Sequence, residues 1–323
     1  MTFIASVVAK EGVAIIADSL VTTMRPVLES DDFQKYLDRK LADNGGQVKI
    51  DLDEILKLFK VKPSHTKDYE DKLFQYGKWM AITTAGNASI NGKRIKRVIA
   101  DAEKKLKPDN KSNLKSIDAK VEQLKDFVAE EVKRFLQKND SIDTTILIVT
   151  SYSRTNKKAV IYKLTVQRSH KTDLDKEGFE FVSVHKENDI NTVICDGQNK
   201  LSERLLFGDL NTIMELVPKI AQKILTDFNI SGEQIPNNYL LTLLRDNSIV
   251  TQEVIDDVKM FKLRDLSLQQ AVDLASLLMR IEIDIQKYTE NIPSVGGVIK
   301  LAVIEADGFR YIAGNEIVKH ETF

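Results

Sequence analysis

The sequence TFIASVVAKEGVAIIADS, at residues 2–19, is the clearest indication of the fold. Two nearly continuous apolar and β-branched runs, at residues 2–9 and 13–18, flank the polar turn Lys10-Glu11-Gly12. Such runs joined by a short glycine-containing turn predict a β-hairpin. Because the apolar residues are continuous and do not alternate with polar ones, we expect both faces of this hairpin to be buried.

The remaining sequence predicts blocks of strands and blocks of helices. Further strands are predicted at residues 55–61, 79–85, 144–151, 159–167, 179–185 and 192–195, with a closing hairpin at 298–305 and 309–314. Apolar residues at helical spacing predict helices at 89–106, 117–137, 201–228 and 268–288. This order favours an α+β fold with layers of antiparallel sheet and helix over a parallel βαβ sheet.

Composition excludes several classes of protein. The 323 residues are 42% hydrophobic, enough for a sizeable core. Lys and Arg (47) nearly balance Asp and Glu (48), so charge favours neither nucleic acid nor a membrane surface as partner. The sequence has no apolar run of about 18 residues and no secretory signal pattern. A single cysteine, Cys195, fits a reducing compartment, and we expect a cytoplasmic protein.

The sequence also argues against cofactor and metal chemistry. The four histidines are scattered singly, without the spacing of metal ligands. The G-x-S-x-G elbow, the G-x-x-x-x-G-K-[ST] loop and the G-x-G-x-x-G fingerprint are all missing from the sequence. We therefore expect no cofactor and no metal.

Six short segments carry a resemblance to one family. They are residues 2–18, Lys57-Leu58-Phe59-Lys60-Val61, Ala85-Gly86-Asn87-Ala88, Cys195-Asp196-Gly197, Leu266-Ser267-Leu268 with Gln270-Ala271-Val272, and Ser294-Val295-Gly296-Gly297 with residues 299–308. In this order they resemble the β-type subunits of proteasomes and their bacterial relatives, which are N-terminal nucleophile hydrolases. Asp196 stands where that family has serine, and Asn291 stands where it has a supporting aspartate.

The resemblance implies a fold and a set of residue roles. The fold is a four-layer αββα sandwich, one domain over residues 1–323 with insertions near 23–50, 62–78 and 229–265. Thr2 would be the nucleophile once Met1 is removed. Asp18, Lys57, Gly86, Asn291 and Ser294 would complete the site. Lys49 and Lys35 are alternatives to Lys57, because Lys57 lies farther from Asp18 than the family interval.

The chemistry of such a site follows from its groups. A threonine hydroxyl is a weak nucleophile until a base takes its proton, and the α-amine of the same residue can do so. A nearby lysine ammonium would lower the pKa of that amine, and Asp18 would orient the lysine. The Gly86 N–H, at a turn expected to open a helix, would stabilise the oxyanion.

Three functions remain open on the sequence. The first is a threonine peptidase acting on peptides or unfolded proteins in a self-compartmentalising homo-oligomer, with an ATP-dependent unfoldase as an implied partner. The second is a catalytically silent scaffold subunit, and the third is a small-molecule amidase. Helix faces carrying Ile95 and Val98, or Val121 and Val128, could form subunit contacts or pack on the sheet.

Overall fold

The computed structural model describes residues 2–43, 50–67, 70–106, 114–187, 193–207, 219–220, 222–223, 225–226, 263, 265–288 and 294–314. Its strands are β1 (Phe3–Val8), β2 (Gly12–Ala17), β3 (Val21–Val27), β4 (Lys60–Lys67), β5 (Leu73–Gln75), β6 (Met80–Gly86), β7 (Ser89–Ile90), β8 (Lys93–Arg94), β9 (Ser141–Ile142), β10 (Thr145–Ser153), β11 (Lys158–Val166), β12 (Ser169–His170), β13 (Val182–Lys186), β14 (Val193–Gly197), β15 (Lys300–Glu305) and β16 (Gly308–Ala313). Its helices include α1 (Ser30–Asp43), α2 (Leu52–Leu56), α3 (Ile95–Leu106), α4 (Leu114–Leu136), α5 (Lys200–Phe207) and α6 (Leu268–Ile285), with short 3-10 helices at Lys171–Asp175 and Gln286–Tyr288.

Two five-stranded antiparallel sheets form the body of the protein. The first has the strand order β14-β1-β2-β15-β16, and the second has the order β13-β11-β10-β6-β5. The opening hairpin is confirmed, and every residue of β2 is buried. The prediction of an α+β fold with antiparallel sheets is therefore confirmed.

Three apolar clusters connect the sheets and helices. One cluster contains residues of both sheets, including Ile15 and Ile148. A second joins α3 and α4 to the second sheet, and a third joins α6 to the first sheet. The apolar faces of α3 and α4 (Ile95, Val98, Val121, Val128) are at most 3% exposed in the second cluster. Those faces pack within the chain, so they do not supply the surface for subunit contacts.

An arm (residues 21–67) leaves the body after β2. Its two strands, β3 and β4, pair with each other as a separate ribbon, and α1 and α2 lie between them in sequence. Only the last two residues of the strand predicted at 55–61 belong to a strand, β4, and the rest of that prediction is wrong because residues 52–56 form α2. The Asp51 side chain accepts the Asp53 N–H at 2.9 Å, and this N-cap starts a helix there.

The helix predicted at residues 89–106 begins later than expected. Residues 89–94 form the β7–β8 hairpin, whose turn residues Asn91 and Gly92 have φ of 52° and 67°. An Asn-Gly pair with positive φ suits a two-residue hairpin loop, which delays the helix until Ile95. The helix predicted at 201–228 starts as α5, and most of its remainder lies outside the described residues. Within the described part of the chain, no helix is both long and apolar enough to span a membrane.

Candidate active site

A buried aspartate at the end of β2 organises the site. One Asp18 oxygen, Oδ1, accepts the Phe3 N–H at 3.1 Å and the Lys72 ammonium at 2.8 Å. The other oxygen, Oδ2, accepts the N–H groups of Leu20 at 3.2 Å and Gly296 at 3.1 Å. Four donors therefore satisfy a carboxylate that water does not reach.

Lys72 supplies the positive charge of the site from the residue before β5. Its Nζ also donates to the Leu20 carbonyl at 2.6 Å, and only 7% of its side chain is exposed. Burial lowers the pKa of Lys72, and the Asp18 charge opposes that shift. Burial also raises the pKa of Asp18, and Lys72 opposes that shift. A buried lysine with a lowered pKa is typical of functional sites.

The expectation that Lys57 accompanies Asp18 is wrong. Lys57 is exposed at the C-terminal cap of α2, out on the arm. Lys35 is exposed on α1, and Lys49 lies outside the described residues. The arm inserts a ribbon and two helices between Asp18 and the next sheet strand, so the lysine of the site follows Asp18 by 54 positions.

Thr2 lies immediately before β1, an inner strand of the first sheet. It is 4% exposed, and its carbonyl accepts the Gln198 N–H at 2.6 Å. Gly197 has φ of 91°, and a Cβ there would lie 1.9 Å from the Thr2 carbonyl oxygen. Only glycine therefore allows the turn after β14 to approach Thr2 this closely.

A cavity of about 310 Å³ adjoins these residues. Thr2 and Lys72 both line it, as do Gly86 and the first two residues of α3, Ile95 and Lys96. Gly86 ends β6 with φ of 103°. The expectation that Gly86 lies at a turn opening a helix is wrong, because the β7–β8 hairpin lies between Gly86 and α3.

Ser294 is connected to Thr2 through one glutamine. The Ser294 hydroxyl donates to the Gln198 side chain, and Gln198 in turn donates its backbone N–H to Thr2. The Gln286 side chain accepts the N–H groups of Ser294 and Val295. Sequence reasoning missed Lys72 and both glutamines.

Asn291, the remaining candidate from the sequence, lies outside the described residues. The part of the chain that the structure describes contains no group of three or more His, Cys, Asp or Glu residues suited to a metal ion.

Comparisons with known proteins give a distant likeness. No protein-family model and no curated protein matches the chain. Among solved structures, it is similar to an Anbu (Gly-1) mutant from Hyphomicrobium sp. strain MC1, with 13% identity, 98% of this chain and 89% of that chain covered, and a TM-score of 0.42. It is also similar to Anbu (ancestral beta-subunit) from Yersinia bercovieri, with 10% identity and a TM-score of 0.39. That comparison covers 97% of this chain and 88% of the other chain. At this level the likeness decides neither fold nor activity.

Proposed function

We propose that the chain is an N-terminal threonine hydrolase in which Thr2, exposed by removal of Met1, cleaves amide bonds. One observation carries this proposal: Thr2 lines the same cavity as Lys72, which is paired with the buried Asp18. Burying an ion pair costs desolvation and is weak evidence for a role in stability. A pair of this kind beside a candidate nucleophile is instead suited to tuning that nucleophile.

The proposed reaction has two stages. The free Thr2 amine takes the hydroxyl proton while Oγ forms a bond to the carbonyl carbon of the substrate. The tetrahedral intermediate collapses, the C–N bond breaks, and the leaving amine takes the proton. Water then hydrolyses the Thr2 ester and restores the hydroxyl.

The roles of the surrounding groups follow from their charge. An unperturbed α-amine has a pKa of about 7.7–8.0. The Lys72 ammonium lowers the pKa of this amine by repulsion, which keeps it neutral and basic near neutral pH. Asp18 holds Lys72 in place. The Gly86 N–H is the proposed oxyanion donor, and Ser294 positions Thr2 through Gln198.

The proposal extends to the architecture and the assembly. We propose that the three apolar clusters are the interfaces of a four-layer αββα sandwich, formed by one domain that carries the arm and the segment near 229–265 as insertions. A homo-oligomer would restrict access to an otherwise indiscriminate peptidase. A cytoplasmic location, peptide or unfolded-protein substrates and an ATP-dependent unfoldase partner belong to the same proposal.

Substitution of Thr2 tests the chemistry. Thr2→Ala should abolish turnover of a fluorogenic peptide panel and labelling by a β-lactone, with unchanged unfolding. Thr2→Ser should keep part of both, since its hydroxyl and amine survive. Lys35→Met, at an exposed position on α1, is the matched control and should behave as the unmodified protein. Full activity in Thr2→Ala would refute the mechanism.

A small-molecule amidase is the second candidate, and the size of the cavity favours it. A volume of about 310 Å³ lies at the lower end of the range of small-molecule pockets. Thr2-dependent hydrolysis of simple amides, without hydrolysis of peptides, would support the amidase function over the peptidase function. Retention of Met1, with no labelling of Thr2, would select the silent scaffold.

A further inference from the structure

The arm carries a concentrated patch of exposed apolar side chains. Within ten residues, Ile50, Leu52, Leu56 and Phe59 are 60%, 68%, 57% and 38% exposed. We call these four residues the arm-tip cluster. Scattered exposed apolar residues are ordinary on protein surfaces, but a local concentration marks an interaction site.

Helix α2, at the centre of this cluster, buries none of its residues among those that the structure describes. A five-residue helix is unstable by itself, and most helical stability comes from packing of an apolar face. Leu52 and Leu56 lie on one face of α2, four residues apart. That face therefore lacks the packing that normally maintains so short a helix.

The arm tip is nevertheless held in a defined shape. The Asp51 N–H donates to the Tyr36 hydroxyl at 2.9 Å, and Tyr36 is buried. Lys40 and Glu54 form an ion pair at 2.9 Å between α1 and α2. A surface that is already ordered loses little conformational entropy when it binds, which favours association.

We propose that the arm-tip cluster binds the same cluster of a second copy of this chain. All four side chains of the cluster are large, apolar and between 38% and 68% exposed, and a standard interface buries about 800 Å² per partner, more than half of it apolar. The apolar faces of α3 and α4 are already buried in the core, so they do not compete for this role.

Charge favours a two-fold arrangement over an unrelated partner. Asp53 lies at the N-terminal end of α2 and Lys57 at its C-terminal end, and both are exposed. When two α2 helices pair antiparallel about a two-fold axis, Asp53 of each copy faces Lys57 of the other. A patch that is self-complementary in this way suits an isologous dimer contact. Lys57 is then an interface residue.

Substitutions at the arm tip test this contact by sedimentation of the full chain at about 1–50 μM. The unmodified protein should exceed the monomer mass of 36.6 kDa. The double variant Leu52→Glu/Leu56→Glu should associate at least ten-fold more weakly. Leu277→Glu, at a 48% exposed position on α6, should associate as the unmodified protein does. A monomeric unmodified protein, or an arm-tip variant that associates equally well, overturns the proposal.

A charge exchange tests the antiparallel geometry. Asp53→Lys and Lys57→Asp should each weaken association, and the two together should restore it because the pair is re-formed with reversed signs. Failure of the double variant to recover overturns the two-fold contact.

The inference rests on the self-association part of the proposed function and not on Thr2 chemistry. Labelling of Thr2 in the same variants therefore separates a failure of the contact from a failure of the hydrolase.

Discussion

Replacing Lys72 by methionine removes the ammonium that faces Asp18 and keeps a flexible apolar side chain. The Lys72 and Asp18 side chains are 7% and 0% exposed, so the remaining carboxylate would be buried without its cation. Breaking a buried ion pair costs about 3–5 kcal/mol. Three backbone N–H donors remain on Asp18, so we expect the lower end, about 3 kcal/mol.

The loss of stability should depend on pH. Burial raises the pKa of Asp18, and removing Lys72 raises it further, because Lys72 is the group that opposes the shift. The folded variant then binds a proton that the unfolded chain, with a carboxyl pKa near 3.8, has already lost. The stability that this bound proton gives the folded variant is lost as pH rises. The free energy of unfolding of Lys72→Met should therefore fall further below that of the unmodified protein at about pH 8 than at about pH 5.

Urea unfolding of Lys72→Met at both pH values measures this deficit. Lys96→Met is the matched control. Lys96 also pairs with an aspartate at the cavity, Asp71, but its side chain is 68% exposed. An exposed pair contributes about 0–1 kcal/mol, so this control should change little at either pH. Equal stability of Lys72→Met and the unmodified protein at about pH 8 would refute the account of the buried pair.

Two further predictions concern a glycine and a buried glutamate. Gly197→Ala should destabilise by more than about 3 kcal/mol and abolish Thr2 labelling, because the new Cβ meets the Thr2 carbonyl at 1.9 Å. Gly178→Ala has a similar positive φ but no atom within 4 Å of the new Cβ, so it should cost only about 1–2 kcal/mol in thermal unfolding. Glu282 accepts two hydrogen bonds from Ser202, and burial raises its pKa above 4.5. A carboxyl group with a raised pKa in the folded protein stabilises the fold at low pH, and this stabilisation is lost as pH rises. Glutamine does not titrate, so the free energy of unfolding of Glu282→Gln should rise relative to that of the unmodified protein between about pH 4 and pH 7. No such trend would show that Glu282 keeps an ordinary pKa.

The sequence predicted the body of the fold because its patterns are local. The β1–β2 and β15–β16 hairpins each pair adjacent apolar runs across a glycine-containing turn. The apolar face of α4 runs from Ile117 to Leu136, about five turns, and packs on the second sheet. Such patterns depend on neighbours in the sequence, and the structure places these elements within a few residues of their predicted bounds.

The lysine of the site could not be chosen from the sequence because sheet pairing places it. Lys72 precedes a strand of only three residues, β5, whose position is set by pairing with β6. The segment at 62–78 resembles a charged loop, and the apolar pair Leu73-Phe74 is too short to mark a strand. The segment Lys57-Leu58-Phe59-Lys60-Val61 resembles the segment expected to carry the lysine of the site, and this resemblance favours the wrong residue.

The Asn91-Gly92 turn was a signal that the sequence did contain. Ile90 fits the helical spacing of Ile95 and Val98, which predicts a helix from residue 89, although the Asn-Gly dipeptide between them favours a hairpin loop. The two glutamines of the site, Gln198 and Gln286, had no such signal. Gln198 contacts Ser294, 96 positions away, and Thr2, which is still more distant in the sequence. Gln286 contacts Ser294 and Val295, which lie eight and nine positions after it, but no motif marks that contact.

The intact mass of the purified protein, before and after treatment with a β-lactone, shows whether Thr2 is an N-terminal nucleophile. The proposed mechanism requires a free amine on Thr2, so the untreated mass should correspond to a chain without Met1. Treatment should add one inhibitor per chain, and peptide mapping should place it on Thr2. Retention of Met1 together with an unmodified Thr2 after treatment would contradict the proposal that this chain is an N-terminal threonine hydrolase.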